Sequence, residues 1–400
     1  MIDIYGKSTD SSSDLLLYIC YSAFNMDVNM DKNSLLTLPK DILVMLPEFL
    51  HNIEDYKNIS SACRTLRGCM EAATPSQILR LAAAQESTFF RPAPFLLVAA
   101  TSRELGHWAR RSDANELELA TKLEGGMPAL MGLALEHCGL TMQRIRELHL
   151  MRFSIINPVS DIVDKCVGTQ WYAHEDFWDG GVSDAYTIHS EPLQTVFHLA
   201  IYGELFAPDF EPILNGGTAT RRLGVDTRIE YIKYCLPSFE TECGLKHDGP
   251  VDPRRAIKAS ALGPYPSRDD QPEYNHNIAL TWTMRSSRFK PYWKAFRALV
   301  GPDFQDDFDD GWWFDEDDQE SGWRQRMWEN MLICQGLEGL GMMRPDLRDA
   351  WVPKAREWRE KIAKLEREPP LTKIDRQATL EYPYLLGDLR ICAAGYVLGT

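Results

Sequence analysis

At 400 residues, 44% hydrophobic and 25% charged, the chain is long enough to bury a large core and to divide into two or three domains. Its formal net charge of -15 argues against a general phosphate-binding surface, because nucleic-acid binders need clustered Lys and Arg. The nine cysteines are odd in number and scattered without tight spacing, the usage of a reduced protein, cytoplasmic and/or nuclear, rather than a secreted disulfide scaffold.

In chain order, residues 1–33 read as a flexible leader. Leu15–Phe24 is their most apolar run, but it falls well short of the roughly 18 apolar residues that a membrane span requires. No membrane partner is expected.

Residues 34–73 form the first expected domain. After Leu38-Pro39, the residues Ile42, Leu43, Leu46, Phe49 and Leu50 recur at three- and four-residue steps and read as one helical stripe. Pro47 removes a backbone donor, so this helix should kink or restart there. Beyond a polar turn, Ile59, Cys63, Leu66 and Met70 resume the period, and Asp55 is placed to cap a second helix over Tyr56–Met70. Two short apolar helices cannot form a core alone; they need a larger body or a partner.

With Leu38-Pro39, Asp41, Ile42-Leu43, Leu50, Asp55 and Cys63-Arg64, this stretch resembles the F-box, which docks substrate receptors onto a Skp-type adaptor in cullin-based ubiquitin ligases. The resemblance covers residues 38–70, and an F-box followed by an unclassified helical body is similar to many F-box proteins of filamentous fungi. It implies a non-catalytic receptor that binds the adaptor, and through it a cullin, and presents an unknown protein substrate. The implied adaptor contacts are Leu38, Pro39, Ile42, Leu43, Leu46, Leu50, Ile59, Cys63 and Leu66.

Residues 74–242 read as a helical target-recognition region. Thr74-Pro75-Ser76-Gln77 combines a capping residue, a first-turn proline and a reciprocal Gln. Pro92 and Pro94 restart the chain into a long buried helix to about Arg110, and Asp113-Ala114-Asn115-Glu116 reads as a second capping box. Gly125-Gly126, Gly139, Thr141 and Asn157-Pro158 punctuate further helices, so 74–168 reads as a stacked array of antiparallel neighbours. Residues 169–190 read as an aromatic, acidic loop, and Glu191-Pro192 opens an apolar helix through Leu205. Residues 207–222 read as turns, and another helix is expected at Thr227–Leu236. No repeat signature is found.

The Gly-, Pro- and charge-rich stretch 243–275 reads as a linker or long loop. A C-terminal mostly helical region follows over 276–400, with helices at Lys290–Val300, Trp323–Leu340 and Leu347–Arg367. The fold class is therefore mainly α, with irregular loops.

Residues 303–320 set Trp312, Trp313 and Phe314 among acids, a composition suited to a basic partner through ion pairs and cation–π contacts. They are candidate target-binding residues, as are Arg144 and Arg152, which share a broad helical face with His149 and suit an acidic or phosphorylated motif. The simpler reading makes the aromatics anchors of a surface loop and the arginines partners of the surplus acids.

No metal or cofactor is expected. Asp306–Gly311 departs from a calcium loop at Phe308 and again at Asp317, where a Glu is required. Cys235, Cys243 and His247 lack a fourth zinc ligand, and His137-Cys138 are helix neighbours that do not face each other. The absence of a nucleophile elbow, phosphate loop or metalloprotease motif leaves no catalytic residue to name. The alternatives are a helical interaction scaffold outside any ligase or, less favoured, an enzyme with a carboxylate-based site.

Overall fold

The computed structural model describes residues 35–167, 192–216, 221–235, 290–304 and 335–369, together with 323–325, 327–328, 331–332, 389–391 and 397–399. The protein is mainly α. Its chain divides into two compact units, Met1–Gln85 and Glu86–Thr400. Among the described residues, no helix is long and apolar enough to cross a membrane.

In the first unit a 3-10 turn, Leu35–Thr37, leads into α1 (Lys40–Val44), α2 (Leu46–Phe49), α3 (Ile53–Ala62), α4 (Arg64–Met70) and α5 (Pro75–Ala83). The break expected at Pro47 falls at Met45, and Pro47 occupies the opening turn of α2, where its missing donor costs nothing. The expected single helix Tyr56–Met70 is instead two. Cys63 is extended, ends α3, and caps α4 by accepting from the Leu66 amide at 3.5 Å. Asn52, not Asp55, caps α3: its Oδ1 accepts from the Asp55 amide at 2.8 Å. Asp55 lies inside the first turn, where its charge favours the helix dipole.

Leu43, Leu66 and Cys69 form a small core, with Leu46, Ile59 and Cys63 packed at its edge. The Tyr56 hydroxyl closes the far side by donating to the Met70 carbonyl at 2.7 Å. The predicted capping box of α5 is present, with reciprocal bonds between Thr74 and Gln77. Arg80 on α5 donates to the Pro47, Glu48 and Leu50 carbonyls at 2.9–3.4 Å, satisfying acceptors that the end of α2 leaves open. Glu54 and Gln85 exchange two further hydrogen bonds. Helix α5 therefore sits in the first unit, and the division falls at Gln85/Glu86 rather than at residue 74.

The second unit contains α6 (Glu86–Phe89), α7 (Phe95–Ala109), α8 (Asp113–Leu123), α9 (Gly126–His137), α10 (Met142–Met151), a π turn (Arg152–Ile156) and α11 (Asn157–Val167). Then come α12 (Pro192–Phe206), a 3-10 turn (Ala207–Asp209), α13 (Phe210–Leu214), α14 (Val225–Cys235) and α15 (Lys290–Val300). Helices α16 (Gly336–Gly339) and α17 (Val352–Ala363) flank 3-10 turns at Leu340–Met343 and Arg348–Ala350. A short antiparallel pair, β1 (Leu389–Ile391) with β2 (Val397–Gly399), sets Arg390 opposite Leu398 in a stretch expected to be mostly helical.

Helices α7 and α12 are the axis of this unit and pack directly together. Residues 196–206 of α12 are buried without a break, as are Leu96–Ala99, Leu105 and Ala109 of α7. Such a stretch is buried on every face because neighbours surround it, and its two polar members, His198 and Glu204, are buried with the rest. At Gly106 the two helices come close: a Cβ there would lie 3.0 Å from the Leu205 carbonyl and 2.8 Å from the Arg110 guanidinium.

Several predicted boundaries moved. Ser112 caps α8 by accepting from the Asn115 amide at 3.1 Å, so the expected box at Asp113–Glu116 is displaced by one residue. α9 ends because Cys138 turns extended, and Gly139 is not a left-handed cap. No loop separates α10 from α11. Pro158 has no amide to offer Ser154, and the ladder shifts to a π turn in which the Asn157 amide reaches the Arg152 carbonyl. Residues 207–214, expected as turns, are helical. The expected helix Trp323–Leu340 breaks at Gln335, since Gly336 has φ +79°, and a Cβ there would overlap the Glu204 carboxylate. Segments on either side of 243–275 belong to one unit: Arg144 pairs with Glu338 at 2.7 Å and Lys361 reaches Asn215 at 2.7 Å. The readings of 1–33, 169–190 and 243–275 lie outside the described residues.

Candidate interaction surface

The first unit has two apolar stripes where the sequence was read as having one. Residues 43, 46, 47 and 50 turn inward, with Leu43, Pro47 and Leu50 buried. Leu38, Ile42, Met45 and Phe49, at sequence steps of four, three and four, stay in water instead. Ile42 is 47% exposed and Phe49 55%, and Leu36 extends the row. In the sequence the two sets interleave because Ile42 and Leu43 are neighbours. On a helix such neighbours lie about 100° apart, so only one of them can face the core.

The nine residues named as adaptor contacts separate accordingly. Leu43, Leu50 and Leu66 are buried within the unit, Leu46, Ile59 and Cys63 are half-buried at its edge, and Leu38, Pro39 and Ile42 face outward. Met45, Phe49 and Leu36 belong to the outward face and were not named. The signal that finds them is the second stripe itself, visible once the period is counted from Leu38.

A row of five large apolar side chains in water is costly to leave uncovered. Full burial of each contributes about 1.5–3 kcal/mol, so covering half of each side chain stabilises an interface by roughly 4–7 kcal/mol before association costs. The inner core holds the stripe in place, and the Arg80 bonds to the end of α2 fix the helix that carries Phe49.

The other named residues have different surroundings. Arg144 donates to Glu338 at 2.7 Å and to Glu147 at 3.4 Å, and Arg152 donates to the Phe89 carbonyl at 3.0 Å, so both are engaged within their unit. Trp312, Trp313 and Phe314 lie outside the described residues, as do the acids considered for calcium and the partners considered for Cys235. His137 stacks on Trp108 at 4.1 Å, and the Cys138 thiol, buried beneath Thr101, is pushed up to about 12 by burial and by Glu104. Ligand atoms of Glu118, Glu136 and His137 lie within 4.8 Å of one another, with Glu118 half-buried and the other two exposed.

Three buried carboxylates of the second unit, Asp209, Glu116 and Glu204, are held by charged and polar partners. Asp209 accepts from Arg110 at 2.8 Å and Arg228 at 2.7 Å. Glu116, expected in a capping box, is instead buried against the Gly224 amide, the Thr227 hydroxyl and Arg221. Burial pushes the Glu116 carboxyl upward while those hydrogen bonds oppose it. Glu204 accepts from Arg103 at 2.6 Å and from the Leu337 amide at 2.7 Å, and burial again raises its carboxyl against the pull of Arg103. These groups hold helices together.

No protein-family model, curated protein or solved structure matches the chain.

Proposed function

We propose that residues 35–85 dock a Skp-type adaptor and that the chain is the substrate receptor of a Skp–cullin–F-box ubiquitin ligase, with the larger unit binding the protein target. The carrying observation is the outward stripe Leu36, Leu38, Ile42, Met45 and Phe49, an apolar face held by a separate inner core. On this reading one face keeps the small helical unit folded and the other is left for the adaptor. The receptor is non-catalytic, and the linked enzymes of the ligase perform the chemistry.

Ile42→Asp with Phe49→Asp tests the reading, because both side chains are outward and the core is untouched. Leu50→Asp is a poor test, since it places a charge in the unit's own interior. Co-expression with a Skp-type adaptor should give a one-to-one complex that the double variant does not form. A wild-type chain that stays monomeric beside excess adaptor is a helical interaction scaffold instead.

A further inference from the structure

We infer that the outer face of α10 and the π turn binds an acidic amphipathic helix of another protein. Arg146, His149, Leu150 and Phe153 stand at i, i+3, i+4 and i+7, one helical stripe. Leu150 is 66% exposed and Phe153 62%, the two most exposed large hydrophobic side chains among the described residues. Leu148, on the opposite side, is fully buried, so α10 is anchored by one face and presents the other to water. His149 stands edge-on to Phe153 at 5.2 Å, and exposed Phe89 is tied alongside through the bond from Arg152 to its carbonyl.

Charge selects the occupant. The one acid of α10, Glu147, is drawn to Arg144 and Gln143 on the same helix. Arg146 makes no ion pair or hydrogen bond among the described residues and remains as the charge of the stripe, with His149 beside it. A Leu–Phe centre with the Arg146 cation at its edge is complementary to a segment carrying Asp or Glu beside apolar residues. The stripe spans about 10 Å, close to two turns of a facing helix. The face recognises such a helix through Leu150 and Phe153 and orients it through Arg146. It lies in the larger unit, so the inference holds whether or not residues 35–85 dock an adaptor.

The test uses the full chain and a fluorescently labelled helical peptide with Leu and Phe on one face and Glu beside them. Anisotropy should report saturable binding that weakens with ionic strength. Leu150→Asp with Phe153→Asp should weaken it by about tenfold or more, the size of loss expected for central apolar anchors. Arg146→Glu should weaken it as well, and should regain it with a peptide whose Glu are replaced by Lys. Ile42→Asp with Phe49→Asp should leave it unchanged, which separates this inference from the adaptor reading. Both altered side chains are exposed, and unchanged helicity by circular dichroism confirms the fold, with Leu150→Ala and Phe153→Ala as a milder second pair. Equal binding by wild type and a folded variant overturns the inference, as does equal affinity for the Lys peptide. So does concentration-dependent dimerisation lost in Phe153→Asp without any peptide binding, which assigns the face to a second copy.

Discussion

Asp209 is fully buried and serves two cations at once. Its Oδ1 accepts from Arg110 Nε at 2.8 Å and from the Leu223 amide at 3.2 Å, and its Oδ2 accepts from Arg228 at 2.7 Å. Arg110 and Arg228 are themselves 8% and 4% exposed, so neither guanidinium reaches bulk water to recover what the carboxylate supplies. Burial pulls the Arg110 guanidinium below its usual value, Asp209 opposes that, and Arg228 adds to it. Asp209→Asn keeps the shape, removes the charge, and sets two buried cations facing each other. Removing one partner of a buried pair costs about 3–5 kcal/mol, and a loss in that range is expected. Arg228→Met leaves Asp209 held by Arg110 and Leu223 and should cost less, about 1–3 kcal/mol. The assay is urea unfolding followed by tryptophan fluorescence. All 11 tryptophans lie at position 108 or beyond, so the signal reports the larger unit alone. A loss below about 1 kcal/mol for Asp209→Asn at unchanged slope would refute the picture of a sealed ion pair.

Two more outcomes follow from titrating groups. Burial and the guanidiniums of Arg110, Arg103 and Arg111 hold the His107 imidazole below its ordinary value of 6.5. The unfolded chain then binds this proton more readily than the folded one. Stability contributed by neutral His107 is present above pH 6.5 and is lost as pH falls below it. His107→Asn should flatten the thermal stability profile between about pH 5 and 6.5, and salt should shrink the difference because the side chain is exposed. Cys138, pushed up to about 12 and buried, should resist iodoacetamide at pH 8 in the folded protein, while half-exposed Cys63 is alkylated. Peptide mapping reads this directly, and rapid loss of the Cys138 thiol would contradict its burial.

Local signals in the chain were legible where one residue decides the outcome. The Thr74–Gln77 capping box, the helix openings at Pro192 and Lys290, and the end of α7 beside Arg110 all stand where the sequence puts them. Errors arose where two neighbours compete. Asn52 and Asp55 are both good caps, and the one already in an extended conformation took the role. Ser112 displaced Asp113 in the same way, which freed Glu116 to become a buried ligand of residues more than a hundred positions away. No local pattern reveals such a partner. The outward stripe was half-legible: Leu38 and Ile42 were named, but Met45 and Phe49 were obscured by the inner stripe that runs alongside. Arg144 and Arg152 looked available because their partners, Glu338 and the Phe89 carbonyl, are remote in sequence.

The central claim is that the outward stripe of residues 36–49 meets a Skp-type adaptor. Size-exclusion chromatography of the chain co-expressed with that adaptor tests it most directly, with Ile42→Asp and Phe49→Asp as the matched variant. Each substitution removes about 1–1.5 kcal/mol of half-side-chain burial and places a charge against an apolar surface, so together they should weaken the complex by about a hundredfold or more. The account predicts a one-to-one wild-type complex and a folded, monomeric variant. A wild-type chain that elutes alone, or a variant that co-elutes as fully as wild type, would contradict it.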